Sequence, residues 1–156
     1  MHHQMPKPGP EHEKLHAMAG SWTSKETIHS SPWDPNGGPA TGRSQSRVAL
    51  DGFAVVTDYE QERNGKVAYR GHGVYGYDAA RKQWFMQWND NVTPTAATPV
   101  YGAFEGDVLT FQAEGPMGHS RYVYRFEKGG SYVFAIEASK DGVKWTTFMD
   151  GQFTKE

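Results

Sequence analysis

His12, Glu13 and His16 stand at the spacing H-E-x-x-H. On a helix that spacing puts two imidazoles on one face with a carboxylate between them, the arrangement by which zinc proteases hold metal and activate water. The stretch that carries it, residues 11–19 after Pro10, can make a helix of only about two turns before Gly20 ends it. No third ligand follows in a zincin-like context. The pattern therefore reads as a surface helix with this spacing by chance. A structural or adventitious metal site using His2, His3, His12 or His16 stays open, and no metal or cofactor is assigned.

His72 is flanked by Gly71 and Gly73. Glycines beside a strand residue mark a bend, a ligand or the close approach of another backbone. His72 thus reads either as a cavity-lining general acid or base, or as a half-buried histidine bonded to a neighbouring strand. Trp88 and Asp90 share a strand face just before a polar connection, where a barrel would have its mouth. The plainer alternative is a core aromatic followed by a strand-ending aspartate. His119, Arg121 and Arg125 share a face, with Glu137 in the next strand. If that face is inward, Arg121 needs Glu137, because a buried charge needs a partner, and the pair could hold a carboxylate or orient His119. If it is outward, the pair is solvated, and Tyr122, Tyr124 and Phe126 make the better core face. Asp58, Glu60 and Glu62 alternate along one strand. Acid–base work would need their pKa values to split, whereas a charged outer face needs nothing further.

Several chemistries are missing. There is no G-x-S-x-G nucleophile elbow, no P-loop and no dinucleotide fingerprint. The glycines at 71, 73 and 76 echo the last of these, but they lie within a strand, with no helix N-terminus to receive phosphate.

The elements that must position these residues are mostly strands. The chain has 156 residues, no cysteine, 18 glycines, 13% aromatic residues and a net charge of −2. Its length suits one domain. Without cysteine there is no disulfide, thiolate nucleophile or Cys-ligated metal, which fits a reducing compartment. Nothing resembles the basic footprint of a nucleic-acid binder. No signal peptide and no span of about 20 apolar residues is visible, so a cytoplasmic location is expected.

Residues 1–9 read as a flexible, Pro-rich lead, and 10–156 as a single domain. After the short helix come about ten strands at 21–30, 41–50, 53–63, 66–77, 83–90, 100–104, 108–114, 119–127, 132–139 and 143–154. Asn64-Gly65 is the strongest hairpin signal, a type I′ pair. Most connections are hairpin-length, so sequence neighbours pair. Ten meandering strands would leave two exposed edges, and closure removes them. The expected fold is all-β: an antiparallel meander barrel of about ten strands with a short N-terminal helix. A two-sheet sandwich, which needs longer crossings, is second.

Glu11-His12-Glu13-Lys14-Leu15 leads into Gly20-Ser21-Trp22. Further on stand Ser31-Pro32-Trp33-Asp34-Pro35, Ala49-Leu50-Asp51-Gly52-Phe53, Asp58-Tyr59-Glu60-Gln61, Gly71-His72-Gly73-Val74 and Trp145-Thr146-Thr147-Phe148-Met149. Together these resemble a bacterial family catalogued as domain of unknown function 1579, from about Pro10 to Phe153. The resemblance implies a calycin-like barrel of lipocalin or nitrobindin type. Such barrels mostly bind hydrophobic or haem-like ligands. The nitrobindin pattern Gly-x-Trp-x-Gly-x-Gly is matched here only by Gly20-Ser21-Trp22, and residues 132–154 hold no histidine for a haem iron.

A barrel this wide can leave a cavity. The reading that follows is a binding module for a small hydrophobic or amphipathic molecule. Its candidate lining is Tyr59, His72, Met86, Trp88, Asp90, His119, Arg121 and Trp145. A cofactor-free enzyme using His72, a haem-binding barrel, and a partner-binding protein or homodimer are the alternatives.

Overall fold

The structure, a computed structural model, describes residues 4–156. His2 and His3, offered above as metal ligands, lie outside the described residues. The helix α1 (Pro10–Leu15) runs into a 3₁₀ turn (His16–Met18). Ten strands follow: β1 (Gly20–Ile28), β2 (Gly38–Ala49), β3 (Ala54–Arg63), β4 (Lys66–Asp78) and β5 (Gln83–Asp90), then β6 (Val100–Glu105), β7 (Val108–Gly115), β8 (Gly118–Phe126), β9 (Tyr132–Ser139) and β10 (Thr146–Lys155). Each pairs antiparallel with its sequence neighbours, and β1 pairs with β10 from Trp22↔Lys155 to Ile28↔Met149. The sheet is a closed barrel. No helix among the described residues is long and apolar enough to cross a membrane.

Local chemistry sets the turns. Asn64 (φ 52°) and Gly65 (φ 78°) make the β3–β4 hairpin, where the left-handed backbone suits Asn-Gly. Pro39 was expected in a loop, yet it is the second residue of β2. A strand start tolerates a missing N–H better than a strand centre. Residues 143–145, expected in the last strand, belong to the preceding loop. There Asp141 Oδ1 accepts from the backbone N–H of Val143 at 2.8 Å and of Lys144 at 3.0 Å, so β10 begins only at Thr146.

Because the strands alternate in direction, one end of the barrel carries α1 and the other carries loops 29–37, 91–99 and 140–145. Leu15 and Met18 plug the helix end and are buried. Trp22 Nε1 donates to the Met18 carbonyl at 2.8 Å, and Trp84 Nε1 to the Glu11 carbonyl at 2.9 Å.

The inner wall is asymmetric. On β1, β2 and β4 many inward positions are small: Ser24, Gly42, Ser44, Ser46, Gly71 and Gly73. The facing strands supply Trp84, Phe111, Tyr124, Tyr132 and Phe153. Rings therefore meet across the interior. Trp22 and Tyr132 have centroids 4.8 Å apart, and the Tyr75 and Tyr124 hydroxyls are 2.7 Å apart. Each fully buried large apolar side chain contributes about 2–3 kcal/mol.

Candidate functional site

The mouth half of the barrel is built around a buried carboxylate. β1 alternates Trp22, Ser24, Glu26 and Ile28 inward, so Glu26 occupies an apolar phase of the strand and is 4% exposed. Two glycines make room for it: a Cβ at Gly42 on β2 would strike its Oε2, and one at Gly151 on β10 would lie 2.7 Å from its Cγ. Ser24 Oγ donates to Glu26 Oε2 at 2.5 Å. The Tyr59 hydroxyl donates to Oε1 at 2.5 Å, and Gln61 Nε2 to the same oxygen at 2.9 Å. Burial first, and the neighbouring Glu26 carboxylate second, push the Tyr59 phenol far above its ordinary range.

A second chain of bonds leads toward solvent. Trp88 Nε1 donates to the Tyr69 hydroxyl at 2.8 Å, and that hydroxyl donates to Asp90 Oδ2 at 3.0 Å. Asp90 also accepts from the backbone N–H groups of Val92 and Thr93. Partial burial opposes ionisation of Asp90, but the donors from Thr93, Val92 and Tyr69 outweigh it and hold the carboxyl below its usual value. The Tyr59 ring touches both Tyr69 and Trp88, at centroid distances of 6.0 and 6.2 Å. Opposite Tyr59 in register stands Ser44, 4% exposed. Its Oγ has no hydrogen-bond partner. Burial pushes the neighbouring Tyr132 phenol well up, with Ser44 acting against it, but the two hydroxyls do not meet hydrogen-bond geometry.

Of the residues expected to line a cavity, Tyr59, Met86, Trp88 and Asp90 have inward strand positions. The other four do not. His72 lies on the outer wall, where its Nδ1 meets Asp58 Oδ1 at 2.7 Å with both side chains solvated. The flanking glycines explain this: Gly71 and Gly73 face inward because the Trp88 indole lies flat across them, and strand alternation turns His72 outward. His119 and Arg121 share the outer face of β8, opposite the inward Tyr122 and Tyr124. Arg121 makes a two-pronged bond to Glu137 at 2.9 and 3.1 Å. Trp145 sits in the β9–β10 loop, with the Arg121 guanidinium 4.0 Å from its ring and His119 edge-on at 6.4 Å. That group staples a loop to the wall.

Glu26, Gln61, Tyr69 and Ser44 were missed. The signal for Glu26 was present, as an acid in phase with Trp22 and Ile28. Gln61 and Tyr69 follow from the same alternation once the inner face is known.

The helix histidines are locally engaged. His12 Nδ1 accepts from Gly9 N–H at 2.9 Å and its ring abuts Phe53, while His16 Nε2 meets the Gly52 carbonyl at 3.2 Å. Among the described residues no group of three metal-capable side chains converges. Nor do the residues present fit a haem iron: the described histidines lie on the helix plug, on the outer wall, or beside Asp150 at the end of β1. Two concavities of about 400 and 480 Å³ open on the barrel. The first is edged by Arg43, Asp58, Glu60 and Arg70 and also lined by the inward Trp22, Ser44, Tyr59 and Gly71; the other is edged by Lys25, Val123, Arg125 and Val133.

A closed ten-stranded antiparallel barrel, plugged at one end by a short helix and carrying an acid in its aromatic interior, is the class that fold and site define. Within that class, the chain belongs to the family described as "Protein of unknown function (DUF1579)", whose model matches residues 7–155. Among solved structures it is similar to Rv2717c from M. tuberculosis, at 12% identity and a TM-score of 0.68, over 95% of this chain and 98% of that one. That likeness concerns the fold. No curated protein matches the chain.

Proposed function

We propose that the barrel binds a small amphipathic molecule through its mouth half. The polar end of the ligand sits against Glu26, Tyr59 and Gln61, and its apolar body lies among Trp88, Met86 and Tyr122. The observation that supports this most is the buried Glu26 network, set in an aromatic interior beside a Ser44 hydroxyl with no partner. A barrel wanting only stability gains little from a buried acid, since packed apolar side chains serve as well or better. The ligand enters at the end of the barrel that carries loops 29–37, 91–99 and 140–145.

The test is native mass spectrometry on protein purified without additives, followed by titration of decanol against tryptophan fluorescence. A retained small molecule, or saturable decanol binding weakened in Tyr59→Phe and Trp88→Ala, is expected. A clean apo mass with no saturable response overturns the reading.

A second reading, action through a protein partner, draws on a different observation. Trp33, Val92, Met117 and Val143 are all exposed, Trp33 by 67%, and they stand on four different loops at the mouth end. Exposed apolar side chains grouped at one end are a common feature of interaction surfaces.

A further inference from the structure

Glu26 and Asp90 bracket a cluster of three rings. Between them stand Tyr59, bonded to Glu26, and Tyr69, bonded to Asp90, with Trp88 against both. Every donor that reaches either acid is neutral: hydroxyls, one side-chain amide and two backbone N–H groups. Among the described residues no Lys, Arg or His forms an ion pair with either one. Arg63 and Lys155, whose register faces inward, sit at the rims. Arg63 Nη1 is held by Asp34 Oδ2 at 2.6 Å, and Lys155 Nζ lies 5.4 Å from the Trp22 ring centroid.

The polar character of this half is therefore one-sided. It offers two carboxylates, the negative faces of aromatic rings, and the Ser44 oxygen, 4% exposed and free to accept. A buried acid served only by neutral donors is incompletely compensated. The group that complements this set is a cation with N–H donors and an apolar body.

On the ligand-binding reading above, we propose that the mouth half is selective for organic cations, specifically protonated amines carrying a hydrocarbon chain. The ammonium sits between Glu26 and the Tyr59, Tyr69 and Trp88 rings, with Ser44 Oγ accepting one of its protons. Asp90 at the rim attracts the same charge on entry.

The full-length protein is titrated with decylammonium chloride, sodium decanoate and decanol, each below its micellar concentration, and followed by calorimetry. Decylammonium is expected to bind about tenfold or more tightly than either chain-matched probe. Glu26→Gln should close most of that gap by weakening decylammonium far more than decanol. Equal binding of decanoate or decanol overturns the cation preference and leaves the small-molecule reading standing. Failure of all three to bind overturns both. If circular dichroism shows Glu26→Gln unfolded, Asp90→Asn replaces it. A reduced preference for decylammonium supports the proposal, and an unchanged one counts against it.

Discussion

At Gly71 and Gly73 the absence of a side chain does the positioning. A Cβ on Gly73 would lie 2.6 Å from Trp88 Cε3, so the indole can lie flat only because both positions are bare. Gly73→Ala is expected to destabilise the barrel by about 1–3 kcal/mol through overpacking. His72→Ala, which removes a solvated pair with Asp58, should cost at most about 1 kcal/mol. Urea unfolding of the two variants checks both values, and a larger loss for His72 would mean that its outward placement is wrong. The same positions show what could be read from sequence. The close approach beside His72 was legible, but the approaching group was a ring from the next strand, and it took the inner face for itself. His119 and Arg121 were ambiguous for the same reason. Alternation groups residues by face without saying which face is inside, and a charged face such as that of His119, Arg121 and Arg125 on β8 could equally have lined a polar cavity. Glu26 needed no such choice, because Trp22 and Ile28 already fixed the inner phase of β1.

Among the elements, strand number, order and hairpins were readable because turn residues punctuate the chain at nearly every junction. Boundaries shifted where side chains outside the strands decide them. Asp141 captures two backbone N–H groups and delays β10 to Thr146. The helix was expected over 11–19. It is α-helical only over Pro10–Leu15 and then tightens, as Ala19 N–H bonds the His16 carbonyl and Trp22 Nε1 takes that of Met18. An element this short is held by what it buries. Leu15→Ala should therefore cost about 2–4 kcal/mol. Chemical denaturation checks this, and a loss below that range would mean that the plug docks only loosely.

For the molecule as a whole, the interior is rich in phenols that burial keeps protonated. Burial pushes Tyr75 up to about 12, and Tyr59, Tyr69, Tyr124 and Tyr132 are also raised. In the unfolded chain these groups ionise near the ordinary tyrosine value of about 10. Their folded pKa values are higher, so stability is intact below about pH 10 and is lost as pH rises beyond it, because only the unfolded state releases the protons freely. Urea midpoints should hold steady from pH 7 to 9 and fall progressively above pH 10. The phenolate absorbance should appear together with unfolding. Ionisation of these phenols in a still-folded barrel would contradict the burial described here.

The seam between β1 and β10 has a consequence during synthesis. Trp22 is made well before its register partner Lys155, which stands at the far end of β10. At roughly 5–20 residues per second, a nascent β1 spends several seconds with one edge open and its acid-bearing face uncovered. Hairpins can zip in order behind it, but the ring cannot shut until β10 has emerged. The vulnerable interval is therefore the one before β10 emerges, when β1 presents an edge that the finished barrel no longer has.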